Sequence, residues 1–198
     1  MGLDSEAWVS PILATSAIGV VFAVLLAMAL AELPFAEPLR IIFDAHTQKL
    51  MALVAVTATC SSLYYSEVVG FIPCEFCWYQ RIMMYSLAVL FVVAIVSRSR
   101  LEPRFLLPLA LIGLGLAIYH VQLQLFPDQG GVCSGEVVLC TDRDVEEFGF
   151  VSIPLMAGAG FLAILLLQVA EWRVDVLYRR WSSLAEAVDM NGAAATIG

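Results

Sequence analysis

Two cysteines open an apolar stretch in the segment PCEFCWYQR, residues 73–81. Pro73 ends one element, and the next helix is predicted to start near Cys77. The positive end of a helix dipole and its unpaired N–H groups favour a thiolate at that position. Arg81 follows one helical turn later, and its permanent charge stabilises the anion further. We therefore expect Cys77 to be the stabilised thiolate of a redox pair and Cys74 to be its more exposed partner.

A second cysteine pair, Cys133 and Cys140, lies in a polar stretch that follows Gly130 and Gly131. This composition predicts a mobile loop. A disulfide in such a loop is open to attack by the thiolate of another protein, so two pairs together favour an electron relay. Two alternatives stay open from the residues alone: a zinc site formed by the four cysteines, and disulfides that only staple the structure.

A thiol relay needs a terminal oxidant, and the sequence contains no dinucleotide-binding fingerprint and no C-x-x-C-H haem motif. A quinone dissolved in the membrane is the acceptor that remains. His120 and Gln124, four residues apart in YHVQLQLFP, and Glu67 are polar groups near the ends of apolar stretches, where such groups are costly and often functional. We take these three as candidates for the quinone site. Cys60 lies inside an apolar run and is predicted to pack as a small hydrophobic residue.

The composition places this chemistry in a membrane. Of the 198 residues 61% are hydrophobic and 14% are charged, with a mean hydropathy of +0.89. A water-soluble globule of this size could not bury so much apolar surface. The net charge of −8 argues against nucleic acid as a partner, because phosphate binding needs a basic face. Five apolar stretches are long enough to cross a bilayer, at about residues 11–31, 50–70, 79–97, 105–126 and 149–170.

The positive charges predict the orientation of these spans, since cytoplasmic loops carry the excess of Lys and Arg. With the 32–49 loop, the 98–104 loop and the tail in the cytoplasm, that side carries eight of the ten cations. Those eight are Arg40, Lys49, Arg98, Arg100, Arg104, Arg173, Arg179 and Arg180. The N-terminus is then outside, the C-terminus is cytoplasmic, and both cysteine pairs lie on the outer face, where disulfides persist.

Two further segments have the periodicity of amphipathic helices on the inner leaflet. Their apolar positions are Phe35, Leu39, Ile42, Phe43 and His46 in the first, and Leu177, Trp181, Leu184 and Val188 in the second. The chain is therefore divided into an extra N-terminal span with an interfacial segment (1–49), a four-helix bundle with an outer loop at 127–148 (50–170), and a cytoplasmic tail (171–198).

Three segments resemble the DsbB/BdbC family of membrane disulfide-bond-forming oxidoreductases: SLYYSEVVGFIPCEFCWYQRIMMYSL, YHVQLQLFP and FGFVSIPLMA. The resemblance runs from about Leu50 to Val169. PCxxCxxQR followed by a second cysteine pair and GFxSIP is a specific combination, whereas C-x-x-C alone is not. The resemblance implies a four-helix bundle in a prokaryotic cell membrane, with both disulfides on the outer side.

The same resemblance assigns roles to the candidate residues. Cys133 forms a mixed disulfide with a soluble thioredoxin-fold oxidase of the DsbA type, and Cys140 pairs with Cys133. The Cys74–Cys77 disulfide then reoxidises the loop pair. Cys77 passes electrons to ubiquinone or menaquinone. Two further residues match family positions near the quinone, Arg81 and His120.

This sequence departs from the family pattern in its additional first helix, in the close spacing of the loop pair and in Cys60. The vitamin K epoxide reductase type is a rival within the same chemistry, but there the loop cysteines precede the C-x-x-C, whereas here they follow it. A small transporter would need polar residues in the middle of the bilayer, and the sequence has almost none there.

The predicted orientation can be tested by labelling reduced intact cells with a membrane-impermeant thiol reagent. We expect the reagent to reach Cys133 without lysis. Labelling of Cys133 only after lysis would overturn the orientation.

Overall fold

The computed structural model describes residues 2–31, 37–128 and 140–195, with side chains described over 8–31, 46–128 and 140–176 and at 179. Regular structure in these parts is helical, and the bridge between Glu147 and Val151 is isolated. The helices are α1 (Gly2–Ala31), α2 (Glu37–Leu63), a π-helical segment (Tyr64–Val69), α3 (Glu75–Val96), α4 (Pro103–Leu125) and α5 (Ile153–Ala195). The predicted all-α fold is confirmed.

Five helical stretches are long and apolar enough to cross a membrane, as the hydropathy predicted. They are Trp8–Ala31, His46–Val69, Glu75–Val96, Pro103–Leu125 and Ile153–Val176. The last span begins four residues later than predicted, because a turn precedes it. Phe148 and Gly149 both have positive φ in that turn, at 54° and 76°.

Four of the helices form a bundle in which each packs against its neighbour in the chain and α5 closes the ring against α2. The core of the bundle contains large apolar side chains with almost no exposure, among them Met51, Leu87, Phe91, Phe161 and Leu167. The extra helix α1 packs on the outside of the ring, mainly against α5 and to a smaller extent against α2.

The segments that carry Cys74, Cys77 and Cys140 lie together at one end of the bundle, which we call the cysteine end. There the chain leaves α2 through the π-helical segment, a variant that often marks functional sites. The left-handed residue Gly70 (φ 88°) ends this segment, and its N–H donates to the carbonyl oxygen of Tyr65. At the opposite end Gln48 fixes the link between α3 and α4. Its side chain donates to Ser99 O (3.0 Å) and accepts from Leu101 N (3.2 Å).

The predicted interfacial segment and the second span share one uninterrupted helix, Glu37–Leu63. The position of that segment on the inner leaflet stays a prediction. Phe35 lies outside the described residues, as do the side chains of Leu39, Ile42 and Phe43, and His46 is exposed. The tail likewise continues α5 as far as Ala195. The described side chains do not include those of Leu177, Trp181, Leu184 and Val188.

The prediction that Cys60 packs against other residues as a small hydrophobic side chain is wrong. Its side chain is exposed, because α2 turns other positions, such as Ala52 and Ala55, toward the bundle. In a bilayer this exposed face of α2 meets acyl chains, where a thiol is tolerated as a small apolar group.

Two glycines of α4 give a matched test of the packing between α4 and α5. A Cβ added at Gly113 would lie 2.3 Å from the Phe161 ring, whereas one at Gly115 would meet nothing within 4 Å. Overpacking a filled core costs about 1–3 kcal/mol, and replacing an unconstrained helical glycine by alanine gains about 0.5–1 kcal/mol. We expect Gly113→Ala to lower the thermal unfolding temperature in detergent and Gly115→Ala to leave it unchanged or raise it. Equal unfolding temperatures for the two variants would contradict this packing.

Candidate functional site

Cys74 caps the N-terminus of α3. Its backbone is extended (φ −68°, ψ 172°), and its sulfur accepts a hydrogen bond from the backbone N–H of Cys77 at 3.4 Å. The two sulfurs are 3.0 Å apart, and both cysteines are free thiols. The sequence places them so because Pro73 stops the preceding segment, and the first turn of α3 then folds back over the capping side chain.

A buried imidazole, that of His120 in α4, lies beside the sulfur of Cys74. Its Nε2 is 3.6 Å from Cys74 Sγ and 3.1 Å from the carbonyl oxygen of Cys140, and its Nδ1 is 3.1 Å from Gln80 Nε2. A carbonyl oxygen only accepts and an amide nitrogen only donates, so these partners select the tautomer with hydrogen on Nε2. One N–H is therefore directed at both the Cys74 sulfur and the segment that carries Cys140.

Cys140 is almost fully buried (1% exposed) and is disulfide-bonded. It packs in one apolar cluster with Cys74, Phe76 and Leu123. Cys133, the other predicted loop cysteine, lies outside the described residues. Within the described part of the chain, the structure thus brings one loop cysteine into the same buried cluster as the first cysteine of the C-x-x-C pair.

The relative exposure of the C-x-x-C cysteines is the reverse of the prediction. Cys74 is buried (7% exposed), whereas Cys77 is half-buried. Phe76, His120 and Cys140 contribute to the cover over Cys74, and these contacts across the bundle are not visible in the motif. Hydrogen bonds from the Cys77 side chain, from His120 and from the Cys77 backbone N–H hold the pKa of Cys74 well below its usual range despite burial.

Polar contacts fasten the segment after Cys140 to the end of α4. Gln124 donates through Nε2 to Asp142 O at 3.1 Å, and Arg143 donates to Gln124 O at 3.2 Å while pairing with Glu146 at 3.2 Å. Gln124 therefore lies at the cysteine end as predicted. Its side chain was a candidate for the quinone site, and in the structure it is hydrogen-bonded to the loop segment instead.

Asp144 in the same segment lines the small space around Cys74, Cys77 and His120. It also lines a larger cavity on the other side of the C-x-x-C pair. Burial, followed by the charges of Asp142 and Cys74, raises the pKa of the Asp144 carboxyl. The carboxyl-bearing residue Asp144 thus lies between the two spaces.

The larger cavity has a volume of about 300 Å³ and lies between α1, α2, α3 and α5. Cys77 and Arg81 lie in its wall near the cysteine end. The Arg81 guanidinium donates to Ser62 O at 2.9 Å and lies 5.4 Å from the centre of the Trp78 ring. The rest of the wall is mainly apolar, and includes Leu53, Val54, Ala58, Met84, Met156 and Ala157. Such a volume and lining suit a small apolar ligand with one polar end.

The C-x-x-C pair therefore has two different sides. His120 and Gln124 lie on the side of Cys140 and line only the small space, while Arg81 and Cys77 line the large cavity. Glu67 is exposed in the π-helical segment and lines neither space, although Ser66 donates to its carboxylate at 3.2 Å.

Three residues that contribute to the site were not predicted from the sequence: Gln80, Ser62 and Asp144. Gln80 stands inside the PCxxCxxQR motif, so its position next to Arg81 was a usable signal. Ser62 acts through its backbone carbonyl, and Asp144 is one of several acids in its loop, so neither carries a signal of its own.

Cys74, Cys77 and His120 also satisfy the geometry of a three-ligand metal group, since their ligand atoms lie within 4.8 Å of one another. The four-cysteine zinc site considered from the sequence needs Cys140 as a thiolate, and its disulfide bond excludes that role in this state. The metal site that remains possible has three ligands, the two cysteines Cys74 and Cys77 and the histidine His120.

Comparison with known proteins places these features in context. The family profile described as disulfide bond formation protein DsbB matches residues 45–171. A protein of Oceanobacillus iheyensis named probable disulfide formation protein is 44% identical over 126 residues, which are 61% of this chain and 84% of that protein. Disulfide bond formation protein C of Bacillus subtilis is 38% identical over 119 residues, 59% of this chain and 85% of that protein. No solved structure matches the chain significantly.

Removing the imidazole tests its link to Cys74. We expect His120→Ala to raise the pKa of Cys74 by at least about one unit, because a hydrogen bond to a charged group contributes about 1.5–3 kcal/mol. The midpoint of the Cys74 titration then moves to higher pH, and the fraction present as thiolate falls in the acidic range around that midpoint. The pH dependence of Cys74 alkylation, followed by mass spectrometry in reduced protein, measures this shift. His46→Ala, at the only other histidine, is the control. An unchanged alkylation profile in His120→Ala would remove His120 from this role.

Proposed function

We propose that this chain, which belongs to the DsbB family of disulfide bond formation proteins, reoxidises a soluble dithiol protein and passes its electrons to a membrane quinone. The observation that carries the proposal is the position of the C-x-x-C pair. Cys74 shares a buried cluster with Cys140 on one side, and Cys77 lines an apolar cavity on the other. A membrane disulfide-forming oxidoreductase needs such a passage between a protein dithiol and a lipid-soluble oxidant.

The first exchange takes place at the loop pair. Of the five cysteines, Cys60, Cys74 and Cys77 are free and Cys140 is bonded, which supports a Cys133–Cys140 disulfide. A thiolate of the reduced partner attacks Cys133, the Cys133–Cys140 bond breaks, and Cys140 leaves as a thiolate. The partner is a dithiol of the DsbA-like, thioredoxin-fold kind that the family resemblance implies.

The second exchange moves the electrons to the C-x-x-C pair. Cys140 attacks Cys74 of an oxidised Cys74–Cys77 pair, and Cys77 leaves as a thiolate. The second thiolate of the partner then attacks the mixed disulfide between the partner and Cys133, which oxidises the partner and releases Cys133 as a thiolate. Cys133 in turn attacks Cys140 in the Cys74–Cys140 disulfide, and Cys74 leaves as a thiolate. The loop disulfide is thereby restored, and Cys74 and Cys77 are left reduced. Both are free thiols in this structure, and Cys140 is disulfide-bonded. The N–H of His120 favours this sequence, because it stabilises negative charge on Cys74 when that sulfur leaves.

The final step uses the large cavity. Its volume of about 300 Å³, its apolar walls and the guanidinium at one end fit a quinone ring with polar oxygens. A bound quinone supplies the oxidising power, taking two electrons and two protons from the dithiol to become a quinol. Arg81 orients the acceptor and stabilises negative charge on Cys77, and the cavity excludes water from the reacting sulfur. Ubiquinone and menaquinone both have rings suited to this space.

The reaction as a whole is balanced. The partner dithiol loses two electrons and two protons, and the quinone gains both. We place the cysteine end on the extracytoplasmic face of a prokaryotic cell membrane, with the N-terminus outside and the C-terminus in the cytoplasm. The distribution of Lys and Arg supports this orientation, and exported dithiol proteins are then within reach of the loop.

A metal-binding module without turnover is the second candidate, since Cys74, Cys77 and His120 could hold zinc. Metal analysis of the purified protein separates the two candidates. About one zinc per chain, with Cys74 and Cys77 protected from alkylation until a chelator is added, would contradict the redox proposal.

The decisive mixture contains purified protein, a reduced thioredoxin-fold dithiol protein and a quinone, with quinol formation as the readout. We expect Cys77→Ser to lower the rate to background, because Cys77 is the cysteine that lines the cavity and the variant has no thiol there. Cys60→Ser removes an exposed thiol of the same bundle and should keep the wild-type rate. Cys133→Ser should block oxidation of the partner while the C-x-x-C pair stays reactive toward quinone. Equal quinol formation by wild type and Cys77→Ser would overturn the proposal.

A further inference from the structure

Helix α1 lies outside the part of the chain that matches the family, which is residues 45–171. It nevertheless forms a wall of the large cavity, because Leu13, Ser16, Ala17 and Val20 all line it. The other walls come from α2, α3 and α5. Without α1, the cavity would be open on this side to the acyl chains of the bilayer.

The position of α1 against the bundle is fixed by buried contacts along its length. Ala14 is fully buried and Val24 is 8% exposed within the bundle core. Nearer the cysteine end, Tyr65 donates a hydrogen bond to Ser10 Oγ at 3.0 Å, and both residues are buried. A buried polar pair of this kind is costly to separate, since each group loses a partner away from water. The wall is therefore held in a defined place.

The same hydrogen bond connects α1 to the rim of the cavity. Tyr65 belongs to the π-helical segment and stacks on Phe71 with 5.9 Å between ring centres. Tyr65, Phe71 and Ile72 line the cavity close to the C-x-x-C pair. Through Ser10, α1 thus contacts the rim as well as forming the wall.

Small side chains of α1 face the deeper part of the cavity. Ala17 lies seven residues after Ser10, which is about 10 Å further along the helix from the cysteine end. At depth the opposite walls are also close together: a Cβ added at Gly160 would be 3.3 Å from Met84 Cε and 3.9 Å from Ala58 Cβ. Because α1 forms the remaining wall, a larger side chain at Ala17 would take up space in the cavity.

We propose that α1 is a specificity element of this enzyme, and that Leu13 and Ala17 set the size of quinone ring that the cavity accepts. The inference rests on the proposed quinone reduction and adds to it a helix that the family profile does not cover. Ala17 leaves room for the acceptor and Leu13 limits that room nearer to Cys77. Enlarging one residue and reducing the other should move acceptor preference in opposite directions.

The test compares two quinones without tails, menadione with two fused rings and duroquinone with one. We expect Ala17→Leu to raise the KM for menadione at least tenfold, and to raise the KM for duroquinone less. Leu13→Ala should shift the ratio of kcat/KM values toward menadione. Ala23→Leu is the matched control: it is the same change on α1 at an exposed position outside the cavity lining. It should keep wild-type constants.

The rate of thiol–disulfide exchange between each variant and the reduced partner, measured without quinone, checks that the variant is folded. We expect this rate to equal that of the wild type. If Ala17→Leu does not fold, Ala17→Val and Leu13→Ala carry the test. Identical quinone preference in wild type, the Ala17 variants and Leu13→Ala would overturn the inference while leaving quinone reduction intact. An equal effect of Ala17→Leu and Ala23→Leu would do the same. Failure of the wild type to reduce either quinone would instead refute the proposed function, and the inference with it.

Discussion

The hydrogen bonds of one buried imidazole hold the site together. His120 receives a hydrogen bond from Gln80 on one nitrogen and directs the other toward Cys74 Sγ and the carbonyl oxygen of Cys140. These contacts join α3, α4 and the loop segment at one point. Because the imidazole is 1% exposed, water does not compete for its N–H, and the Nε2–H tautomer is fixed by partners that can only donate or only accept. The positions of the cysteines relative to one another depend on this arrangement.

As a consequence, the two cysteines of the C-x-x-C pair have different surroundings. Cys74 is buried among protein groups on the side of the loop, where thiol–disulfide exchange between sulfurs takes place. Cys77 and Arg81 both line a mostly apolar cavity. The expectation that Cys77 is the stabilised anion of the pair is wrong for this reduced state, because hydrogen bonds favour Cys74 as the anion when both thiols are free.

Local features of this protein were predictable from sequence, and contacts between distant segments were not. Hydropathy predicted all five spans, and PCEFCWYQR predicted a helix start at the cysteines, because both are properties of neighbouring residues. The family resemblance stated from these motifs is confirmed by the profile match over residues 45–171. The burial of Cys74 was missed because its cover comes from residues 46 and 66 positions away along the chain. The exposure of Cys60 depends on which face of α2 packs inward, and the apolar run around Cys60 does not reveal that choice.

The most direct measurement identifies which sulfur of the C-x-x-C pair exchanges with the loop. In Cys77→Ser, oxidised without quinone, mass spectrometry of trapped peptides should find a Cys74–Cys140 disulfide, because these residues share one buried cluster. In Cys74→Ser, treated in the same way, Cys77 should form no disulfide with a loop cysteine. A Cys77–Cys140 disulfide in Cys74→Ser, together with no Cys74–Cys140 disulfide in Cys77→Ser, would contradict the account.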